Sequence, residues 1–174
     1  TRKAIELNPD LAEAHFNLGI VLKDIGRSQE AFDFYLQAIK LNPKIPNIYA
    51  SITRFLRDTD VSHLNKVKLK NIVNFLLEQK NLAHNELFVA FKFLYKNQII
   101  ENLNKLNINV LNIDSFTNDK LMINALKKII FKDIKLEIFL TRVRAQINNN
   151  ISNNIEDYSG SKLQFIIALG EQCF

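Results

Sequence analysis

The sequence predicts an all-α fold, in which paired helices repeat at the start and a helical region without the repeat follows. Three observations carry this. Only four Gly and three Pro interrupt 174 residues, too few to supply the turn a sheet protein needs roughly every 8–12 residues. The segment Ala4-Ile5-Glu6-Leu7-Asn8-Pro9 returns as Ala38-Ile39-Lys40-Leu41-Asn42-Pro43, 34 residues on at every matched position, and a period of that length marks stacked helical hairpins. Beyond the repeat, apolar residues keep the three- and four-residue spacing of one helix face.

Taken in order, residues 1–7 read as the second helix of a truncated earlier repeat, followed by helices at about 12–25 and 28–41. Leu18 and Leu22 on the first, and Ala31, Tyr35 and Ala38 on the second, fall at helical spacing and give each helix an apolar stripe. Gly19 and Ala31 lack bulk, so the two helices can approach closely. Gly26 ends the first helix and Ser28 caps the second, whose first turn carries Glu30. The Asn42-Pro43 pair closes the hairpin. A third unit opens at Pro46, with Tyr49 and Ile52 in register with His15 and Leu18. It then decays: Thr53 replaces the small Gly, Asn65 falls where Ala31 would recur, and Leu77 falls where Pro43 would. Arrays end in atypical units, so residues 1–60 read as one partial, one complete and one degenerate repeat.

The residues His15-x-x-Leu18-Gly19-x-x-Leu22, Ala31-x-x-x-Tyr35, Ala38 and Pro43 resemble the tetratricopeptide repeat. His15 takes the Trp slot, Leu22 the Tyr slot and Tyr35 the Phe slot. The resemblance implies an α-α superhelix whose concave face, lined mainly by the first helix of each pair, holds a protein or peptide partner. On helix 12–25 the sides turned away from packing carry Glu13, Phe16, Asn17, Ile20 and Lys23, which are the candidate partner-binding residues. Asn17 matches the Asn with which family members grip a peptide backbone, and an amide suits that task with its donor and acceptor together. Ser51 stands one repeat later. The competing reading of Asn17 is an ordinary surface residue in an Asn-rich chain.

From Val61 the period is lost while helical patterning continues, which makes 61–174 a divergent helical region. Helices are predicted at about 62–79, 84–101, 119–131 and 133–147, with loops at 102–118 and 148–160, and Ser161 capping a last helix over 163–173. Leu136-Glu137-x-Phe139-Leu140-Thr141-x-x-Arg144, with Ala168-Leu169-x-x-Gln172-Cys173-Phe174, resembles a segment of multidomain bacterial proteins. In those, tetratricopeptide repeats lead into an S-adenosylmethionine-dependent methyltransferase domain. That resemblance implies the alternative function, in which the repeats position the substrate of such an enzyme. The chain starts at Thr1 within an apparent helix and ends on an apolar run, so it reads as a piece of a longer protein.

Little points to chemistry within the chain itself, and neither enzyme activity nor a cofactor or metal is expected of it. The single cysteine, Cys173, leaves no internal disulfide or thiolate zinc site and fits a reducing, cytoplasmic setting. His15, His63 and His84 are scattered, and His84-Asn85-Glu86 lacks the second His of a metalloprotease helix. Ser159-Gly160-Ser161-Lys162 lacks the upstream Gly and the strand of a phosphate loop. Asp58/Asp60 and Glu156/Asp157 lie in apparent loops without an apolar surround. The net charge of +5 comes from residues 61–174, but Lys66, Lys68 and Lys70 are strung around a helix without stacking rings, which speaks against nucleic acid. No apolar run reaches the ~18 residues of a membrane helix.

Overall fold

The computed structural model describes residues 3, 8, 10–104, 114–153 and 159–172. The predicted helix at 1–7, Cys173 and the pair Glu156/Asp157 lie outside the described residues. Every regular element among the described residues is helical: α1 (Ala12–Asp24), α2 (Ser28–Leu41), α3 (Ile48–Asp58), α4 (Lys66–Glu78), α5 (Phe88–Asn104), the single turn α6 (Asp114–Thr117), α7 (Lys120–Lys128), α8 (Ile134–Ser152) and α9 (Gly160–Glu171). Short 3-10 turns stand at Val61–His63 and His84–Leu87. The chain divides into two compact units, Thr1–Ala90 and Phe91–Phe174.

In the first unit, α1 and α2 make the most intimate backbone approach of any pair of described elements. Gly19 is the reason. A Cβ built on it would sit 2.8 Å from the Tyr35 ring and 3.3 Å from the Ala31 carbonyl, so only a residue without a side chain fits. α1 ends in a Schellman motif: the Arg27 N–H donates to the Leu22 carbonyl (2.9 Å) and the Gly26 N–H to that of Lys23 (3.0 Å). Gly26 supplies the required positive φ, +79°. The turn into α2 corrects one expectation. Ser28 is the first helical residue and makes no capping bond; Arg27 holds the cap position, and its guanidinium grips Glu30 at 2.5 Å.

The repeat shows in the loops as well. Asn8 Oδ1 accepts the Asp10 N–H (3.2 Å) and Asn42 Oδ1 accepts the Lys44 N–H (2.9 Å). The same Asx turn thus recurs at the 34-residue spacing of the sequence. α3 starts at Ile48, two residues after Pro46, behind Asn47 in the left-handed conformation. The predicted helix over 62–79 is a 3-10 turn followed by α4. Asp60 caps the turn by accepting the Ser62 N–H, and Asn65 caps α4 by accepting that of Lys68.

α4 begins 38 residues after α2, four more than the repeat length. With that offset Leu69, Val73 and Leu76 stand where Ala31, Tyr35 and Ala38 stand, and all six are buried. The loss of register after Val61 therefore has a local cause, an enlarged turn. Bulk differs as well: Thr53 and Leu69 occupy the places of Gly19 and Ala31, both buried, and α3 and α4 lack the close approach of the first pair. Tyr49 still meets Phe75 edge-on at 5.5 Å.

The second unit packs α9 onto α7 and α6 around Phe91, Phe116, Phe131, Phe139 and Phe165, all buried. Phe91 stacks on Phe131 at 5.0 Å, and Phe116 meets Phe139 at 4.9 Å. Two predicted loops are shorter than expected. α5 runs to Asn104, and Asn102, read as loop, donates its amide to the Gln98 carbonyl (2.7 Å). α8 runs to Ser152, whose hydroxyl donates to the Asn148 carbonyl (2.8 Å). Side chains that bond back along the helix satisfy themselves locally, so a polar stretch stays helical. α6 falls within the other part of the predicted 102–118 loop. α9 begins at Gly160 behind Ser159, so Ser161 lies inside the helix instead of capping it.

Candidate functional site

The candidate residues lie along one stripe of α1, at the three- and four-residue steps of a single face. Glu13 and Asn17 are exposed, and Phe16, Ile20 and Lys23 are half-buried. The stripe rests on a rigid base. Phe16 packs on the Tyr35 ring (5.9 Å), Tyr35 meets Phe55 of α3 edge-on at 5.4 Å, and Phe32 stacks on Phe55 at 6.2 Å. Burial pushes the Tyr35 hydroxyl up to about 12, with the Asp24 carboxylate adding to the effect. His15, in the slot that calls for a large ring, is buried and lies 5.6 Å from Phe34, a packing position.

The Asn17 amide makes no hydrogen bond with the described residues. One repeat on, Ala50 and Ser51 take the places of Phe16 and Asn17, and both are half-buried. Arg54 and Arg57 take those of Ile20 and Lys23, and both are exposed. These two arginines were missed in the sequence, although the period places them on the stripe.

Arg57 organises the end of this face. Its guanidinium donates to Asp58 at 2.7 and 3.0 Å and to Glu86 of the 84–87 turn at 2.9 Å. The Arg57 hydrogen bond, helped by the charges of Arg57, Lys23 and Arg54, holds the Asp58 carboxyl below the usual carboxylate range. Lys23 of α1 and Arg54 of α3 thus both bear on this one carboxylate. On the α2 side, Lys68 meets Asp33 at 2.7 Å, so this lysine is tied within the fold. Partial burial works to raise the Asp33 carboxyl, but hydrogen bonds from Lys68 and Gln29 outweigh it and hold it low. Among the described residues no three His, Cys, Asp or Glu side chains gather as a metal site, and no helix is long and apolar enough to cross a membrane.

A small-residue contact between two paired helices and junction turns that recur at a 34-residue spacing define a helical-hairpin repeat. Residues 12–45 match the tetratricopeptide repeat family, and the chain carries such a repeat in an all-α fold. Tetratricopeptide repeats are non-catalytic modules of protein–protein interaction. No curated protein and no solved structure matches the chain.

Proposed function

We propose that the α1 stripe, continued by Ser51 and Arg54 on α3, holds an extended peptide segment of a protein partner. The observation that carries this is Asn17: an exposed amide with no bond to the described residues, set on a base of packed rings. Glu13, Phe16, Ile20 and Lys23 surround it with apolar surface and charge of both signs. An extended peptide can take both the donor and the acceptor of that amide. In this reading the repeat portion over residues 1–60 is completed by α4 as the partner of α3, the divergent helical region follows it, and the setting is cytoplasmic. The test is a peptide selected from a random display library on the full chain, followed by calorimetric titration. Asn17→Ala and Phe16→Ala are each expected to weaken it by about tenfold with unchanged helical circular dichroism. Unchanged affinity in both would remove these residues from the binding face.

One observation favours the second reading, that the repeats position the substrate of a methyltransferase in a longer protein. The two segments with that resemblance are joined, since Arg144 Nη2 donates to the Leu169 carbonyl at 3.2 Å. The coding sequence on either side of this chain decides it: a strand followed by a Gly-rich turn supports the enzyme, and its absence opposes it.

A further inference from the structure

In the second unit a cleft of about 550 Å³ opens between α5 and the start of α8. Lys92 and Lys96 line it from α5, Lys132 from the segment that leads into α8 and Lys135 from the first turn of α8, and Ile99 and Ile134 add apolar surface. Ile134 is 78 % exposed, far more than an isoleucine with a covering neighbour. A second depression shares Lys132 and Ile134 and runs on to Ile138, so the apolar surface continues on either side of Ile134.

The charge of this cleft is unbalanced. Its one carboxylate among the described residues, Asp133, is already engaged: Oδ2 meets Lys92 Nζ at 2.5 Å, and Oδ1 accepts the Leu136 N–H at 3.0 Å as the cap of α8. Lys96, Lys132 and Lys135 form no ion pair among the described residues. Three ammonium groups that line one cleft without an ion pair among the described residues repel one another and attract an occupant of opposite sign. The apolar surface between them requires that this occupant also bring apolar side chains. No aromatic ring among the described residues lines the cleft, so they offer a nucleic acid no stacking platform. It is recessed, and the chain has no Trp to anchor at a bilayer interface. We propose that this cleft binds an acidic peptide segment of a protein partner, with carboxylates over Lys96, Lys132 and Lys135 and an apolar side chain beside Ile99 and Ile134. It lies in a different unit from the α1 stripe and does not depend on it.

The test uses the full chain and a fluorescein-labelled peptide of four Glu-Glu-Leu repeats, read by fluorescence anisotropy. Saturable binding is expected, with amide NMR shifts confined to the α5 and α8 residues around the cleft. Lys96→Glu/Lys132→Glu is expected to weaken it by about tenfold or more. Lys66→Glu/Lys80→Glu, the same change in net charge on exposed lysines of the first unit, is expected to alter it less than about twofold. Absence of saturable binding, or equal loss in the two double variants, overturns the proposal. So does capture of phosphatidylserine vesicles or a labelled oligothymidylate in place of the peptide.

Discussion

The two helix pairs of the first unit are built on one plan and differ in bulk at two positions. Where α1 meets α2, Gly19 and Ala31 let backbones nearly touch, and the Tyr35 ring fills the remaining space. Where α3 and α4 follow, Thr53 and Leu69 occupy the same places and the close approach is gone. The second pair is held instead by larger side chains, with Tyr49 on Phe75, and by ties from outside it: Asn65 to Gln29, Lys68 to Asp33 and Arg57 to Glu86. Steric room at two positions thus separates a hairpin that closes on itself from one that leans on its neighbours.

The harshest way to break that contrast is Tyr35→Ala, which removes the ring that serves both pairs. About 3–5 kcal/mol of stability is expected to go, read as a drop in urea midpoint. Gly19→Ala comes next. The new methyl collides with a buried ring that has nowhere to swing, at a cost of roughly 1–3 kcal/mol, less up to ~1 kcal/mol regained from helix propensity. A variant as stable as the parent would show that the contact is slack. Thr53→Ala sharpens the comparison from the other side. The Thr53 hydroxyl is buried and makes no hydrogen bond with the described residues, so its loss is expected to be neutral or to stabilise by up to ~1 kcal/mol, measured as an unchanged or raised Tm.

The smallest effect is electrostatic. Asp33 is held low in the folded state, so its contribution is complete above the ordinary carboxylate range and disappears as pH falls through the depressed folded value. The Lys68 pair is about half exposed, and solvent screening limits the effect to about 0.5 kcal/mol. Asp33→Asn is expected to lower Tm slightly at neutral pH and to match the parent in acid. A parallel offset at every pH would remove the ion pair as its cause.

The first hairpin was legible because sterics wrote it into residue types: a Gly, an Ala, ring slots and an Asn-Pro junction at fixed spacing. The second was obscured by the four extra residues in one turn, which shifted Leu69, Val73 and Leu76 off the period while preserving their burial. Asn102 and Ser152 misled for another reason: their type favours loops, and only the structure shows their side chains bonding back to the helix. At the candidate site, the α1 stripe followed from periodicity. The Arg57–Glu86 link did not, because its partners lie 29 residues apart with no pattern joining them.

The matching clasps at Asn8 and Asn42 make the stretch between them an interchangeable cassette. Both of its joints have the same bend, so a duplicate spliced in after Asn42 would inherit ready-made couplings at either end. Lineages could then lengthen or shorten this protein by whole hairpins, leaving each seam intact and changing only its reach.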